Sequence, residues 1–223
     1  MMDLSLDVVR DVKIYQRVGG YRFSCDALLL TDFVGVKYPR RIADLGAGSG
    51  IIGIVLARRF ADSHVELIEV QEEPAALCVK NIAINELSDR VTVANIDIRD
   101  VSKHMQANTF DLVVSNPPFR KVGTGKLNPF EEKAIARHEV ILTLPELVQA
   151  AFYLLRGKGR FCFIHHPGRF IEVIDVLARH RFSVATVRFI HPDVNSGAVM
   201  VLIEAVKEGN SQLLIQSPLL LGT

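Results

Sequence analysis

This chain has almost no net charge, and its sequence contains no recognisable metal-binding pattern. The formal charge is only +1, which argues against a strongly basic, non-specific nucleic-acid binder, so any such binding needs a local patch. Cys25, Cys78 and Cys162 show neither C-x-x-C nor zinc spacing, and we expect reduced thiols packed as small hydrophobic groups. No metal set emerges from the seven histidines, and no Ser-His-Asp spacing can be argued. We therefore expect no metal site.

Long hydrophobic runs are missing as well. Residues 1–16 contain no apolar signal core, and the apolar stretch 213–221 is too short and too broken to span a bilayer. Together with the reduced cysteines, these features predict a cytoplasmic protein that makes no membrane contact. The tail, residues 207–223, is expected to pack on the protein itself.

Strand and helix patterns alternate along the chain. With 223 residues, 49% of them apolar and 23% charged, the chain has the length and composition of one soluble α/β domain. Residues 1–35 are expected to form an N-terminal addition to a core of residues 36–206, and a hairpin turning at Gly19-Gly20 is expected within residues 12–23. A capping box at Thr143–Glu146 predicts the start of a helix, and Gly157 is expected to end it. Further strands are predicted at 41–45, 65–69, 91–95, 110–115, 160–165, 183–190 and 198–206, with helices at 24–35, 51–60, 74–82 and 170–179. This order predicts a doubly wound, mostly parallel sheet with an antiparallel C-terminal hairpin.

The most informative motif is the run Asn116-Pro117-Pro118-Phe119, which follows the apolar strand pattern 110–115. A nitrogen conjugated to a ring or carbonyl is a poor nucleophile and must be reshaped to react. The Asn116 side-chain oxygen and the carbonyl of Pro117 are suited to accept its two hydrogens, and the prolines stiffen this backbone. Phe119 offers a face for stacking a flat group, worth roughly 1–3 kcal/mol per base. The alternative is a plain Pro-Pro turn with Phe119 in the core, and the motif alone does not separate the two.

A glycine-rich turn stands upstream, in the predicted strand, turn and helix of residues 41–53. Gly46, Gly48 and Gly50 allow a tight turn and close approach of the backbone to a ligand at the start of a helix. A dinucleotide fingerprint requires glycine where Ile51 stands. The spacing therefore disfavours a nicotinamide dehydrogenase.

Three acidic residues suggest which ligand this turn binds. Asp44 would repel a pyrophosphate and attract an ammonium or sulfonium group, and S-adenosylmethionine carries both; the alternative is that Asp44 only caps the helix. Glu69 ends a strand about 20 residues beyond the glycine turn, where an acidic side chain chelates a ribose diol. Asp97 follows the next strand, where a carboxylate is placed to accept the exocyclic amine of the cofactor's adenine. Taken alone, Glu69 or Asp97 is more often an ordinary solvated acid at a strand end. Their occurrence at the ends of successive strands favours the role in binding the cofactor.

The Asp44–Gly50 and Asn116–Phe119 motifs together resemble class I S-adenosylmethionine-dependent amino-methyltransferases. Residues 20–30 and 136–139 resemble segments of the tRNA1(Val) adenine-37 N6-methyltransferase family, and the resemblance covers about residues 12–206. It implies a Rossmann-like, seven-stranded class I fold. It also implies cofactor contacts at Phe23 and Asp26.

The stretch 120–138 is polar, contains two glycines and carries several cations. A long loop of this kind beside a catalytic motif is often functional, and we expect it to contact substrate phosphates. A solvated surface loop is an equally weighted alternative, and Arg137 with His138 alternatively forms a structural pair that anchors the loop. The candidate substrate-binding residues are Arg120, Lys121, Lys126, Arg137 and His138.

The leading functional hypothesis is methyl transfer from S-adenosylmethionine to the exocyclic N6 amine of adenine in tRNA, at anticodon-loop position 37 as the resemblance implies. Asn116, Pro117, Pro118 and Phe119 are the candidate catalytic residues. The same acceptors suit a protein glutamine amide, and rRNA or DNA are further alternative substrates. A non-catalytic S-adenosylmethionine-binding protein is a hypothesis of another class, disfavoured because it has no need for the Asn-Pro-Pro-Phe geometry.

Overall fold

The computed structural model describes residues 3–19, 25–117 and 142–222. The described strands are β1 (Leu4–Val9), β2 (Val12–Arg17), β3 (Arg41–Leu45), β4 (His64–Ile68), β5 (Val91–Ala94), β6 (Phe110–Ser115), β7 (Leu155–His165), β8 (Phe182–His191), β9 (Met200–Lys207), β10 (Leu214–Ile215) and β11 (Leu219–Leu220). The described helices are α1 (Cys25–Phe33), α2 (Ile51–Arg59), α3 (Glu72–Ile84), α4 (Val101–His104), α5 (Leu144–Leu154) and α6 (Phe170–Arg179).

One large sheet organises the molecule, in the order β5-β4-β3-β6-β7-β9-β8. Strands β3 to β7 pair in parallel, while β9 runs antiparallel to both neighbours. The predicted doubly wound sheet with an antiparallel C-terminal end is confirmed. The short strands β10 and β11 add to β8 in parallel, so the tail packs on the protein as expected.

Both faces of this sheet are covered by helices, as its nearly continuous apolar strands require. Successive residues of a strand point to opposite faces: Ile42 belongs to the core that contains Leu30 of α1 and Ile54 of α2. Its neighbour Ala43 belongs to the core on the other face, which contains Leu147 of α5. Two cores therefore hold the strands, and only the strand ends are left for a site.

The described N-terminal hairpin is not the predicted one. Its described strands are β1 and β2, joined by a two-residue turn at Arg10 and Asp11, with Val9 paired to Val12; β1 was not predicted from the sequence. The strand predicted to follow the Gly19-Gly20 turn falls on residues outside the described ones, so that hairpin stays a prediction. Residues 20–24 lie outside the described residues.

Helix α5 begins as predicted and ends earlier than predicted. Thr143 and Glu146 form the expected capping box, with Thr143 N donating to Glu146 Oε2 at 2.8 Å. The helix ends at Leu154, and Gly157 lies inside β7, near a shift in the pairing with β6. Gly157 is therefore part of an irregular strand start and does not terminate the helix. Within the described ranges, no helix is both long and apolar enough to cross a membrane.

Candidate functional site

Four parallel strands end side by side at one edge of the sheet. Leu45 at the end of β3 pairs with Ile68 of β4 and with Ser115 of β6. Ile68 pairs in turn with Ala94 of β5. Neighbouring strands lie about 4.8 Å apart, so the residues that follow these ends form one row across the edge. The row consists of Asn95, Glu69, Gly46 and Asn116.

The glycine turn leaves its backbone open toward this edge. The N–H groups of Gly46 and Ala47 donate to Ile68 O at 2.9 and 3.1 Å, which ties the turn to β4. Gly46 and Gly48 have φ values of 74° and 58°, a left-handed region that glycine adopts without steric cost. A Cβ placed on either residue meets nothing within 4 Å. A ligand therefore has room to approach this backbone closely.

The next two glycines face the core instead. A Cβ on Gly50 would lie 2.9 Å from Leu67 Cδ1, and one on Gly53 would lie 2.2 Å from Leu67 Cδ2. These glycines therefore let α2 pack tightly against β4. The sequence placed Gly50 with the cofactor-facing glycines; the side where its side chain would stand is filled by the core.

Asp44 lies beneath the glycine turn and is fully buried. Its Oδ2 accepts a hydrogen bond from Gly53 N at 3.0 Å, whereas its buried Oδ1 has no hydrogen-bond partner among the described residues. Burial raises the pKa of this carboxyl to about 7, against the hydrogen bond from Gly53 and helped by repulsion from Glu69. Asp44 thus binds the start of α2, as the capping alternative predicts, and also keeps one unsatisfied oxygen below the turn.

Glu69 joins the end of β4 to the glycine turn. Its carboxylate is nearly buried, with Oε2 accepting from Gly48 N and Oε1 from Gln71 N, each at 2.9 Å. Two carboxylate oxygens together have about four acceptor positions. Two of those positions therefore remain for the ribose diol that the sequence assigns to this residue.

The carboxylate of Asp97, predicted to accept the adenine amine of the cofactor, binds Arg99 in this structure. It caps a short 3-10 turn by accepting from Arg99 N at 2.8 Å, and Arg99 Nε and Nη2 also contact its carboxylate. The bond from Arg99 lowers the pKa of Asp97. Its oxygens are largely occupied by Arg99, so a contact to an adenine amine requires Arg99 to release one of them.

The start of the Asn-Pro-Pro-Phe motif is fixed to the centre of the sheet. The buried Ser115 Oγ donates to Leu45 O at 2.8 Å, joining the ends of β6 and β3. Asn116 and Pro117 follow and are both half-buried. The predicted acceptor amide therefore lies at the end of the strand next to the glycine turn.

Several predicted site residues lie outside the described residues. Asp26 is within them: it stands in the first turn of α1, half-buried, and Cys25 Sγ donates to its Oδ1 at 3.4 Å. No group of three or more His, Cys, Asp or Glu in the described part of the chain is placed to hold a metal ion. The predicted residues outside it are Phe23, Pro118, Phe119, Arg120, Lys121, Lys126, Arg137 and His138.

Sequence reasoning missed the residues that support the glycine turn from α3. Asn81 Nδ2 donates to Ser49 O at 2.8 Å and to Tyr15 O at 3.1 Å, so one buried amide joins the turn to β2. Cys78 Sγ donates to Gly48 O at 3.1 Å, and burial raises the pKa of its thiol. The sequence pattern that could have identified them is the pair Asn81 and Asn85, because residues four apart in a helix lie on the same face.

The chain matches the family model described as methyltransferase small domain over residues 24–179. A curated relative from Pedobacter heparinus, named tRNA1(Val) (adenine(37)-N6)-methyltransferase, is 29% identical over 82% of this chain and 76% of its own length. A relative of the same name from Porphyromonas gingivalis is 36% identical, over 64% of this chain and 58% of the relative.

Solved structures share the architecture. A structure described as a predicted O-methyltransferase from Agrobacterium tumefaciens has a TM-score of 0.70 and 25% identity, covering 87% of this chain and 86% of that one. A Thermus thermophilus 16S rRNA methyltransferase, solved with AdoMet and guanosine, has a TM-score of 0.64 and 21% identity over 92% of this chain and 50% of its own. The second likeness shows the fold alone.

Proposed function

The chain belongs to the methyltransferase small domain family, and we propose that it methylates the exocyclic N6 amine of an adenine in tRNA. Family membership makes it an enzyme that uses S-adenosylmethionine. The proposed position is adenine 37 of tRNA1(Val), which is the activity named for the relatives from Pedobacter heparinus and Porphyromonas gingivalis. The single observation that carries the proposal is the row of strand ends, which sets Asn116 beside the glycine turn.

The residues present fit the cofactor. S-adenosylmethionine supplies an electrophilic methyl group on a sulfonium. The open backbone at Gly46 and Gly48 leaves room for it, the remaining acceptor positions of Glu69 suit its ribose diol, and the unsatisfied Asp44 Oδ1 puts an acceptor below the turn. A direct contact of Asp44 with a cationic group of the cofactor remains part of the proposal.

Asn116 and Pro117 are proposed to orient the amine. The Asn116 side-chain oxygen accepts one N–H and the Pro117 carbonyl accepts the other, which turns the nitrogen lone pair away from the adenine ring. Pro117 has no N–H to offer and a fixed φ, so its backbone presents only an acceptor. Positioning of this kind supplies most of the catalysis, and no strong general base is needed because the nitrogen becomes acidic as the new bond forms.

A tRNA substrate also requires the base to leave its stack. Swinging an adenine out of an anticodon loop costs a few kcal/mol, which contacts to the amine and stacking on the predicted Phe119 face offset. The cations predicted to hold the backbone phosphates meanwhile are in residues 120–138. These last two roles fall on residues outside the described ones and stay predictions.

The test is to incubate the protein with radiolabelled S-adenosylmethionine and separate pools of tRNA, rRNA, DNA and protein, and to map the labelled base in any tRNA product. We expect label in tRNA as N6-methyladenosine at position 37. Label in the protein pool on a glutamine amide would replace the proposal, because the same two acceptors suit that nitrogen. Label in none of the pools, in the presence of bound cofactor, would favour a binding protein without catalysis.

The matched variants are Asn116→Ala and Asn210→Ala. Asn210 is exposed and follows β9 at the other edge of the sheet, so its loss controls for the removal of an amide. We expect Asn116→Ala to lose nearly all turnover while its calorimetric affinity for the cofactor stays within a few-fold, and Asn210→Ala to behave as wild type. Full turnover in Asn116→Ala would remove the amine-orienting mechanism.

A further inference from the structure

A cleft opens at the opposite edge of the sheet, away from the strand ends that form the site above. It has a volume of about 540 Å³. Its walls are the segment 35–39 before β3, the start of β6 at Asp111, the first half of β7, and Glu204 of β9. Nothing in the proposed methyl transfer uses this cleft.

Two arginines in the cleft are held by buried carboxylates. Arg156 Nε lies 2.7 Å from Asp111 Oδ1, and the Asp111 side chain is only 10% exposed. Arg160 Nη1 contacts Glu204 Oε1, whose side chain is 8% exposed. The arginine side chains themselves are 64% and 40% exposed. Each guanidinium has five N–H donors in a rigid fork, so donors remain on both for a ligand.

Both carboxylates of the cleft already have partners within the protein. Asp111 Oδ2 accepts from the backbone N–H groups of Arg40 and Arg41 at 2.6 and 2.9 Å, in addition to the ion pair of Oδ1 with Arg156. Glu204 Oε2 lies 3.8 Å from Cys162 Sγ. Both carboxylates therefore orient the arginines, and Asp111, with three contacts, has little acceptor capacity left for a cation.

The balance of charge in the lining favours an anion. Lys37 and Lys158 add two exposed cations to the two arginines, so four cations stand against two carboxylates. The Tyr38 ring at the rim is 87% exposed and is available for stacking on a flat group. Fixed guanidinium forks beside the exposed ammonium of Lys37 match the oxygen geometry of a phosphate, whereas Lys158 Nζ already donates to Glu208 O.

We propose that this cleft binds a phosphate group through Arg156, Arg160 and Lys37. The phosphate belongs either to the backbone of the RNA substrate or to a small phosphate compound. From Asp111 to Asn116 the chain advances five residues along β6, about 17 Å at the rise of a β-strand, a separation shorter than a folded RNA. The RNA source rests on the proposed function, whereas the small-molecule source does not.

The free-phosphate arm uses inorganic phosphate alone. Thermal unfolding is compared between phosphate and chloride at equal ionic strength, and the broadening of the 31P signal of phosphate is compared between proteins. The proteins are wild type, Lys37→Ala, Arg156→Gln and Lys80→Ala. Lys80 is an exposed cation on α3 and is the matched control. We expect a phosphate-specific stabilisation in wild type and in Lys80→Ala that is reduced in the other two. Because Lys37 is exposed, its variant keeps the test valid even where Arg156→Gln weakens the fold.

The RNA arm measures tRNA affinity against salt for the same proteins. With an RNA phosphate in the cleft, each lost contact should make the slope of log affinity against log salt shallower by about 0.7–0.9, with kcat at saturating tRNA unchanged. A changed slope identifies the RNA as the source, and a response only to inorganic phosphate identifies a small phosphate compound. Equal behaviour of Lys37→Ala, Arg156→Gln and Lys80→Ala in both arms overturns the site. Absence of tRNA methylation by wild type would overturn the proposed function alone, because the free-phosphate arm is independent of it.

Discussion

Replacing Asp44 by Asn tests the energetics of the glycine turn. The substitution removes a buried negative charge and keeps a side-chain oxygen for the hydrogen bond from Gly53 N. In the folded protein, burial raises the pKa of Asp44 from 3.8 to about 7. At 1.36 kcal/mol per pKa unit, the ionised form therefore costs about 4 kcal/mol of folding free energy. Solvent does not screen this charge, since Asp44 has no exposed surface.

The sign of the pH dependence follows from proton counts. Between pH 3.8 and about 7 the folded protein keeps a proton on Asp44 that the unfolded chain has lost. Stability from this group therefore falls as pH rises through that window, by about 1.4 kcal/mol per pH unit, and levels off above pH 7. An asparagine does not titrate, so the advantage of Asp44→Asn over wild type grows by about 2 kcal/mol between pH 5.5 and 8.5.

The assay is urea unfolding of both proteins at pH 5.5, 6.5, 7.5 and 8.5, with the difference in free energy of unfolding taken at each pH. The other titrating groups are common to both proteins and largely cancel. Asp62→Asn is the control, because that side chain is 80% exposed and its replacement should give a flat difference. A flat difference for Asp44→Asn would refute the reasoning, since it would mean that burial does not hold a proton on this carboxyl.

Further predictions concern the cofactor, the turn and the loop. Calorimetry should detect binding of S-adenosylmethionine and no binding of NAD. Glu69→Ala should lower the affinity for S-adenosylmethionine at least tenfold, about 1.4 kcal/mol, because it removes the acceptor for the ribose diol. An unchanged affinity would reject Glu69 as the ribose ligand. Asn81→Ala should lower the urea-derived stability by about 1–3 kcal/mol, because buried partners lose their hydrogen bonds, and a smaller loss would show that water replaces the amide. Replacing Lys121 and Lys126 by Ala should make the salt dependence of tRNA binding shallower by about one to two units, and tRNA binding indifferent to salt and to both changes would favour a protein substrate.

Much of the chemistry was readable from the sequence because it is encoded in short segments. The strand before each motif, the glycine turn and the helix after it depend on local periodicity and on backbone preferences. The strand ends were predicted to within a few residues, and the parallel order then required their polar residues to meet at one edge. The methyltransferase class and its cofactor, predicted from these motifs and from the family that they resemble, are confirmed.

The partners of the charged groups were decided by the tertiary structure. The sequence identified Asp44 and Glu69 as acidic groups near a ligand, but their distances from Gly53 and Gly48 depend on how the turn, strands and helix pack. Burial of Asp44, on β3 beside the first turn of α2, likewise sets its proton affinity, which no local pattern contains.

Pairings distant in sequence explain the remaining differences. The cleft at the opposite edge forms where Asp111 meets Arg156 and Glu204 meets Arg160. Both pairs join residues more than 40 positions apart. The sequence alone determined which segments become strands and which motifs end them. Only the packed sheet, by fixing register and excluding water, decided which charges meet and which remain available to a ligand.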